Sequence, residues 1–251
     1  MTPTAPELEW RRVRKILGGR AVLDGLDLSL AAGRSLVILG GSGQGKSVAL
    51  KLALGLMRPD AGTVLFRGRS LPGLFNRRQS DLYRQSGVLF QGSALFDSLR
   101  IWEVVSFRLL HADNRPRARA REAAIEALAQ VQLGPEVADL FPSELSGGMQ
   151  KRVGLARAII GAPRILFFDE PTTGLDPVTA ASISRLIADQ VTRLGCTAVT
   201  ITHDLVSART IADDIALLDG GRIAWQGGRA DLDTTTDHRV RSMVEASLPT
   251  R

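Results

Sequence analysis

The sequence has one cysteine, few aromatic residues and no long apolar run. The single cysteine, Cys196, excludes an internal disulfide framework and fits a reducing, cytoplasmic setting, so we predict it to be a small core residue. No apolar run approaches the ~20 residues that a membrane-spanning helix needs. Residues 1–9 lack the basic start and the apolar stretch of a secretory signal. These absences argue against a disulfide-stapled secreted domain and against a membrane-spanning helix.

Aromatic residues make up 5% of the chain, while the net charge is +6 and the sequence pI about 10.3. A basic surface suits a nucleic acid, an anionic membrane or a phosphorylated ligand. Platforms that stack nucleic-acid bases need aromatic side chains, so we predict no nucleic-acid partner. The basic residues are scattered arginines, which favours the simpler interpretation of a solvated arginine-rich surface.

The chain does contain short apolar runs that alternate with helix-like stretches. Strands buried on both faces read as continuous apolar runs, and their alternation with helices predicts a parallel α/β sheet. The predicted strands are residues 35–39, 87–90, 165–168, 198–201 and 215–218, and the clearest helices are residues 46–57 and 177–194.

Two regions depart from this alternation. In the first ninety residues, further strand patterns at residues 7–13, 22–30 and 62–67 predict a small antiparallel sheet. Residues 92–160 are predicted to form an inserted helical subdomain, with a helix over residues 118–131 and a last helix that starts near Ser146. The chain is thus interpreted as one domain, residues 1–251. Its core comprises about residues 1–91 and 161–235, its helical subdomain about residues 92–160, and its C-terminal helix or tail residues 236–251.

A phosphate-binding loop follows the first predicted core strand. Gly40, Gly41, Ser42, Gly43, Gln44, Gly45, Lys46 and Ser47 match G-x-x-x-x-G-K-[ST], between a strand and a helix. Glycines in this setting let backbone N–H groups surround phosphate oxygens at a helix N-terminus. Lys46 would reach the β- and γ-phosphates, the Ser47 hydroxyl would ligate Mg²⁺, and Val48 follows as a further nucleotide contact. The alternative, a merely flexible glycine loop, leaves the flanking strand and helix unexplained.

A second strand ends in two carboxylates, Asp169 and Glu170. The carboxyl edge of an open α/β sheet is where ligands bind. Asp169 is predicted to hold Mg²⁺, and Glu170 to orient and polarise the attacking water. The alternative is an acidic pair that caps a helix after Pro171.

The sequence Leu145-Ser146-Gly147-Gly148-Met149-Gln150, which we call the signature segment, gives a second possible anion site. Ser146 can cap a helix, and the two glycines free backbone N–H groups for an anion. Within one domain, this segment and the phosphate loop could hardly both contact the same nucleotide. Two copies arranged head to tail could, so the spacing favours a homodimer.

In these motifs and in their order, the chain resembles the ATP-binding-cassette (ABC) family over nearly its whole length. The shared positions are the phosphate loop, Gln91 in the glutamine loop, the signature segment, the acidic strand, residues 173–176 and His203. The resemblance implies an α/β fold with a RecA-like P-loop NTPase core, an N-terminal antiparallel β subdomain and an inserted helical subdomain. It also implies an ATPase that uses ATP and Mg²⁺ and works as a homodimer. The dimer would bind an integral-membrane permease, peripherally at the cytoplasmic face of the inner membrane.

The resemblance also implies roles for single residues. Gln91 would contact Mg²⁺ and the attacking water and sense the permease. Ser146, Gly147 and Gly148 would contact the γ-phosphate of the partner copy's ATP. Asp176 would act across the dimer interface, and His203 would bond the γ-phosphate and position the water. Taken alone, Gln91 is a surface amide, Asp176 a helix N-cap and His203 a strand-end histidine.

Leu17 stands where the family usually has an aromatic residue that stacks on adenine. An aliphatic side chain covers a purine face but loses aromatic stacking, which contributes roughly 0.5–1.5 kcal/mol beyond area burial. We therefore expect weak discrimination between ATP and GTP.

The segment Leu89-Phe90-Gln91-Gly92-Ser93-Ala94-Leu95-Phe96-Asp97-Ser98 is similar to cassettes of the Mla/Mce-type lipid transport systems. That resemblance implies phospholipid transport, an Mce-domain substrate-binding protein and sometimes a STAS-domain subunit. One alternative is a cassette for a polar solute such as an amino acid. Another is a non-transport cassette that acts in DNA repair or on the ribosome, although the chain has one cassette and no sustained heptads.

Overall fold

A computed structural model describes residues 6–71 and 82–247. The chain divides into two compact units. Unit 1 comprises Met1–Gln85 and Cys196–Arg251, and unit 2 comprises Ser86–Gly195. Unit 2 therefore interrupts unit 1 along the sequence.

The first part of unit 1 is an antiparallel sheet, which confirms the sheet predicted there. Its strands are β1 (Leu8–Leu17), β2 (Arg20–Leu30), β4 (Ala61–Phe66) and β5 (Arg69–Ser70), in the spatial order β2-β1-β4-β5. A bulge in β1 puts Arg12 at a φ of 45° and returns Val13 to the core. The buried indole of Trp10 donates to the carbonyl oxygen of Ala49, 3.2 Å away, and so joins this sheet to the helix that carries Ala49.

The parallel strands of unit 1 are β3 (Ser35–Leu39), β8 (Thr197–Thr202) and β9 (Asp214–Asp219). β3 pairs in parallel with both β8 and β9, and β10 (Arg222–Gly228) adds antiparallel to β9. Every residue of β3 and of β8 is buried. Burial on both faces is the reason that β3 contains a continuous apolar run, whereas β8 also buries three threonines, Thr197, Thr200 and Thr202. The three predicted strands are confirmed to within one residue at each end.

The helix after β3 is shorter than predicted. α1 spans Lys46–Ala53 rather than residues 46–57. Gly55 takes a left-handed φ of 65°. The N–H of Leu56 donates to the carbonyl oxygen of Lys51, and the N–H of Gly55 to that of Leu52. This pair of bonds is a Schellman motif, which ends a helix by satisfying its last carbonyl groups.

Unit 2 contains two parallel strands, β6 (Ser86–Leu89) and β7 (Ile165–Asp169), each within one residue of its predicted position. Its helices are α2 (Ile101–Val105), α3 (Phe107–His111), α4 (Arg117–Gln130), α5 (Gly147–Ile159) and α6 (Pro177–Leu194). α5 begins directly after Ser146 and α6 has the predicted bounds. A Cβ on Gly87 would lie 1.8 Å from the carbonyl oxygen of Ala158, so α5 packs directly against the backbone of β6. The exact limits of the helical subdomain stay a prediction.

Unit 1 is completed by α7 (Leu205–Ile211) and α8 (His238–Ser247). α8 lies in the predicted C-terminal segment, of which residues 248–251 are outside the described residues. Cys196 is buried, as predicted. Across residues 6–71 and 82–247, no helix has the length and apolar character to cross a membrane.

Candidate active site

The phosphate loop lies in unit 1, between the buried strand β3 and the start of α1. Gly43 and Gly45 adopt left-handed φ values of 77° and 100°. A Cβ on Gly40 would lie 2.5 Å from the carbonyl oxygen of Leu218, and one on Gly45 would lie 2.9 Å from that of Val22. Glycine is therefore required both by the backbone conformation and by the close approach of neighbouring strands.

Lys46 closes the loop on itself. Its Nζ donates to the carbonyl oxygens of Gly40 and Gly41, at 2.8 and 2.9 Å, and the side chain is buried. Gln44 anchors the loop from the other side, because its Oε1 accepts from the N–H of Gly220 at 2.8 Å. Ser47 is exposed in the first turn of α1, which contains no acidic residue. The loop thus presents a cation, a hydroxyl and a helix N-terminus, a combination that fits an anionic triphosphate.

Leu17 is the last residue of β1 and pairs with Arg20 across a turn of two left-handed glycines, Gly18 and Gly19. It remains 40% exposed. An exposed aliphatic side chain offers an apolar surface for a purine but no ring to stack on it. Its contact with the base stays a prediction.

His203 directly follows β8 and is exposed. The next residue, Asp204, caps α7 by accepting from the N–H groups of Val206 and Ser207 at 3.0 and 3.1 Å. A cavity of about 450 Å³ adjoins this turn, and its lining includes His203, Asp204, Leu205, Met243 and Ala246. The strand end and the helix cap thus fix the backbone on both sides of the histidine.

Asp169 and Glu170 lie at the end of β7 in unit 2. Glu170 is 9% exposed and has a left-handed φ of 47°, a conformation that costs free energy for a residue with a Cβ. The hydroxyl of Thr173 donates to Glu170 Oε2 at 3.0 Å. The pair does not cap the next helix, since Asp176 accepts from Val178 and Thr179 at the start of α6. The capping alternative for Asp169 and Glu170 is therefore wrong.

Lys151, in α5, is a residue that the sequence did not single out. Its side chain is buried, and its ammonium donates to the main-chain carbonyl oxygen of Gln91. Burial lowers the pKa of Lys151, and the nearby carboxylates of Asp169 and Glu170 oppose that shift. Gln91 itself is exposed in a turn after β6. The position of Lys151 on the apolar face of α5 was a signal in the sequence for its burial, but not for its contact with Gln91.

The signature segment has the predicted helix start. The Ser146 hydroxyl oxygen accepts from the N–H of Met149 at 3.3 Å, and the first turn of α5 contains no acidic residue. Ser146 and Gly147 are exposed. A Cβ on Gly148 would lie 2.9 Å from Thr179 Cγ2, so packing on α6 is a further reason for glycine there. The exposed N-terminus fits an anion.

Asp176 is the N-cap of α6, which is one of the two roles predicted for it from the sequence. The bonds from the side chain and backbone of Thr179 hold the pKa of Asp176 below its usual value. The carboxylate is exposed and therefore remains available to a second molecule. Its role at a dimer interface stays a prediction.

The predicted site residues fall into two groups along the chain. Unit 1 holds the phosphate loop with Val48, Leu17 and His203, while unit 2 holds Gln91, the signature segment, Asp169, Glu170 and Asp176. The oxygen donors predicted for Mg²⁺ are Ser47, Gln91 and Asp169, and a hydroxyl, an amide and a carboxylate suit this hard cation.

Comparison with known proteins identifies the family of this chain. The family model described as ABC transporter matches residues 23–173. The chain is 34% identical to MlaF of Escherichia coli K12, the intermembrane phospholipid transport system ATP-binding protein, over 95% of this chain and 88% of MlaF. It is 39% identical to MetN of Mesorhizobium japonicum, a methionine import ATP-binding protein, over 95% of this chain and 67% of MetN. It is 35% identical to mkl of Mycobacterium tuberculosis, named for ribonucleotide transport, over 96% of this chain and 67% of mkl.

Solved structures give the same fold. A dimer of the ATP-binding cassette MJ0796, in a post-hydrolysis state with ADP and phosphate, matches with a TM-score of 0.80 and 29% identity, over 88% of this chain and 98% of that one. CbiO1 of Clostridium perfringens, part of the transporter complex cbiONQ, matches with a TM-score of 0.82 and 27% identity, over 98% and 96% of the two chains. The predicted fold class is confirmed.

Proposed function

Because this chain belongs to the ABC transporter family and is an ATP-binding cassette with ATPase activity, we propose that it powers phospholipid transport across the bacterial envelope. The observation that carries the proposal is the match to MlaF over 95% of this chain and 88% of MlaF. The Mla/Mce-like segment from Leu89 to Ser98 supports the same assignment.

Import of a polar solute is the second candidate. MetN, a methionine import protein, is 39% identical, which is higher than the identity with MlaF. Cassettes share their ATP chemistry, so identity over the catalytic motifs does not separate a lipid from an amino acid. The transported molecule must therefore be tested directly.

In the proposed mechanism, residues 40–47 bind the triphosphate of ATP. Backbone N–H groups of the loop and the N-terminus of α1 face the phosphates, and Lys46 exchanges its carbonyl partners for phosphate oxygens. Leu17 covers the base. When Mg²⁺ is bound, it neutralises charge that develops on the phosphates, and Ser47, Asp169 and Gln91 would hold it.

Glu170 acts as the general base in this mechanism. Its buried carboxylate, oriented by the Thr173 hydroxyl, accepts a proton from the attacking water. The water oxygen bonds to the γ-phosphorus as the bond from that phosphorus to the β-phosphate oxygen breaks, and ADP and phosphate leave. Gln91 and His203 position that water, and His203 also bonds the γ-phosphate. Each of these side chains follows the end of a strand, where a rigid element can hold it.

A homodimer completes the proposed site. Ser146, Gly147 and Gly148 of one copy contact the γ-phosphate bound by the other, and Asp176 lies at the interface. ATP binding closes the dimer, and loss of the γ-phosphate reopens it. The dimeric MJ0796 cassette supports this arrangement. The dimer would attach to an integral-membrane permease at the cytoplasmic face of the inner membrane, together with an Mce-domain protein and in some systems a STAS-domain subunit.

The test is transport in a defined membrane. The chain is purified with the permease that accompanies it and reconstituted in vesicles that contain a fluorescent phospholipid, with radiolabelled methionine supplied in a parallel assay. We expect ATP-dependent movement of the phospholipid and none of methionine. A complex with the Glu170→Gln chain serves as the control that binds ATP without turnover. Methionine uptake without lipid movement would replace the lipid proposal by the second candidate.

A further inference from the structure

The turn that carries Gln91 has an unusual backbone. Directly after Gln91 and Gly92, two consecutive residues, Ser93 and Ala94, take left-handed φ values of 58° and 45°. Residues with a Cβ rarely adopt this conformation, and it persists only where the surroundings hold it. We call residues 91–94 the glutamine turn.

Helix α5 holds the glutamine turn through its carbonyl groups. Lys151 donates to the carbonyl oxygen of Gln91, and the Arg157 guanidinium donates to those of Ser93 and Ala94 at 2.7 and 2.6 Å. These bonds engage three of the four carbonyl groups in the turn. Charge-assisted hydrogen bonds are stronger than neutral ones, so the two cations fix the turn to the helix.

Close packing reinforces the two cations. Gly154 lies between them on the same helix, three residues from each. A Cβ on Gly154 would lie 2.5 Å from Leu89 Cδ1 and 3.5 Å from Ser93 Cβ. Residues three apart share one face of a helix. Lys151, Gly154 and Arg157 therefore form one contact face, which we call the turn-binding face of α5.

Lys151 is buried, and the carboxylates at the end of β7 influence its charge. Its side chain is 6% exposed, and the carboxylates of Asp169 and Glu170 are the charges that favour its ammonium form. A buried cation costs free energy unless it is paired and hydrogen-bonded. The hydrogen bond to the Gln91 carbonyl oxygen therefore satisfies this buried ammonium and ties α5 to the glutamine turn.

We propose that Lys151 is a positioning residue for ATP hydrolysis, which holds the glutamine turn in register with α5. The N-terminus of α5 is the signature segment, so a displacement of this helix on anion binding moves the glutamine turn with it. The inference rests on the roles proposed above for Gln91 and Glu170. Lys151 itself contacts neither water nor phosphate in this proposal.

The test compares Lys151→Met with two other variants in the intact transporter complex. Met keeps most of the length of the side chain and removes its charge and hydrogen bonds. We expect kcat for ATP to fall about tenfold or more, with KM for ATP changed less than about twofold and with the dimer still formed. Lys151→Arg, which keeps the cation, should restore most of kcat. Arg152→Met is the matched control, because Arg152 bonds Val131, Gln132 and Ser182 instead of the turn.

Thermal unfolding and a double variant distinguish a positioning role of Lys151 from a role in the stability of the fold. Lys151→Met and Arg152→Met should lower the melting temperature by similar amounts, while only the first lowers kcat. In Lys151→Met with Gln91→Ala, kcat should fall no further than in the slower single variant. An unchanged kcat in Lys151→Met, or equal losses of kcat in both methionine variants, would overturn the proposal. If Lys151→Met fails to fold, Lys151→Gln is judged by the same criteria.

The roles of Gln91 and Glu170 are tested independently of Lys151. Near-normal ATPase activity in Gln91→Ala and Glu170→Gln would remove those roles, whatever Lys151→Met does. Slow turnover in those two variants with full activity in Lys151→Met would leave their roles intact and contradict only the inference about Lys151.

Discussion

The ammonium of Lys46 lies 2.8 Å from the carbonyl oxygen of Gly40, six residues earlier in the chain. The lysine thereby holds the phosphate loop closed by bonds that the phosphates of ATP would replace. A cation already buried in the loop does not have to be ordered when the nucleotide arrives.

Replacement of Lys46 by alanine should weaken ATP binding. One charge-assisted hydrogen bond contributes about 1.5–3 kcal/mol, and ~1.4 kcal/mol is tenfold in affinity. We therefore expect Lys46→Ala to raise the Kd for ATP about 10- to 100-fold, measured by isothermal titration calorimetry. Lys51→Ala is the control, because Lys51 is exposed on the same helix. An unchanged Kd in Lys46→Ala would contradict the placement of the phosphates.

Replacement by alanine should have different effects on the melting temperature at two adjacent glycines of the loop. A Cβ at Gly40 would lie 2.5 Å from the Leu218 carbonyl oxygen, whereas a Cβ at Gly41 has only Gln44 Cγ nearby, at 3.8 Å. Overpacking costs about 1–3 kcal/mol, and 1 kcal/mol shifts the melting temperature of a protein of this size by roughly 2–4 °C. Gly40→Ala should thus melt several degrees lower by differential scanning calorimetry, while Gly41→Ala stays close to the native protein. Equal melting temperatures would refute the close approach to Leu218.

Glu170→Gln should bind ATP and hydrolyse it orders of magnitude more slowly than the native chain. The amide keeps the shape of the side chain and can still meet the Thr173 hydroxyl, but it cannot accept the proton of the attacking water. With ATP present, the variant should accumulate closed dimers, detected by size-exclusion chromatography with light scattering. Single-turnover kinetics measure the chemical step itself, and a near-normal rate there would remove Glu170 from the role of base.

The strands and most helix ends were predictable because local sequence determines them. β3 and β7 are buried on both faces and so appear as continuous apolar runs, and Ser146 and Asp176 cap the helices that they precede. α1 was predicted too long, although Gly55 carried the signal for its end.

The features that could not be predicted from the sequence are the ones that tertiary packing determines. Charged residues on a helix normally predict a solvated face, and nothing local indicates that Lys151 and Arg157 turn toward the carbonyl groups of residues 91–94. The left-handed backbone of Glu170 was equally hidden, because a glutamate does not prefer that conformation. The motif residues were recognisable from order and spacing, whereas the residues that support them were not.

Leu17 gives a prediction about base selectivity. We expect the native chain to bind ATP and GTP with similar Kd values, because an aliphatic side chain covers either purine. Leu17→Trp should bind ATP about 2- to 10-fold more tightly, since aromatic stacking adds roughly 0.5–1.5 kcal/mol. Ile16→Trp is the control, because Ile16 has the same exposure but points to the opposite face of β1. Competition binding that shows a strong preference for adenine in the native chain would contradict the expectation.

Cys196 gives a prediction that tests the core of unit 1 without touching the site. Burial disfavours the thiolate and raises the pKa of Cys196 to about 11. An unperturbed thiol has a pKa near 8.5, so about a quarter of such thiols are ionised at pH 8. At the same pH, only about one part in a thousand of Cys196 is ionised. Ellman's reagent at pH 8 should therefore label the folded chain hundreds of times more slowly than the chain unfolded in guanidinium chloride, which serves as the control. Rapid labelling of the folded chain would mean that the start of β8 opens readily to solvent.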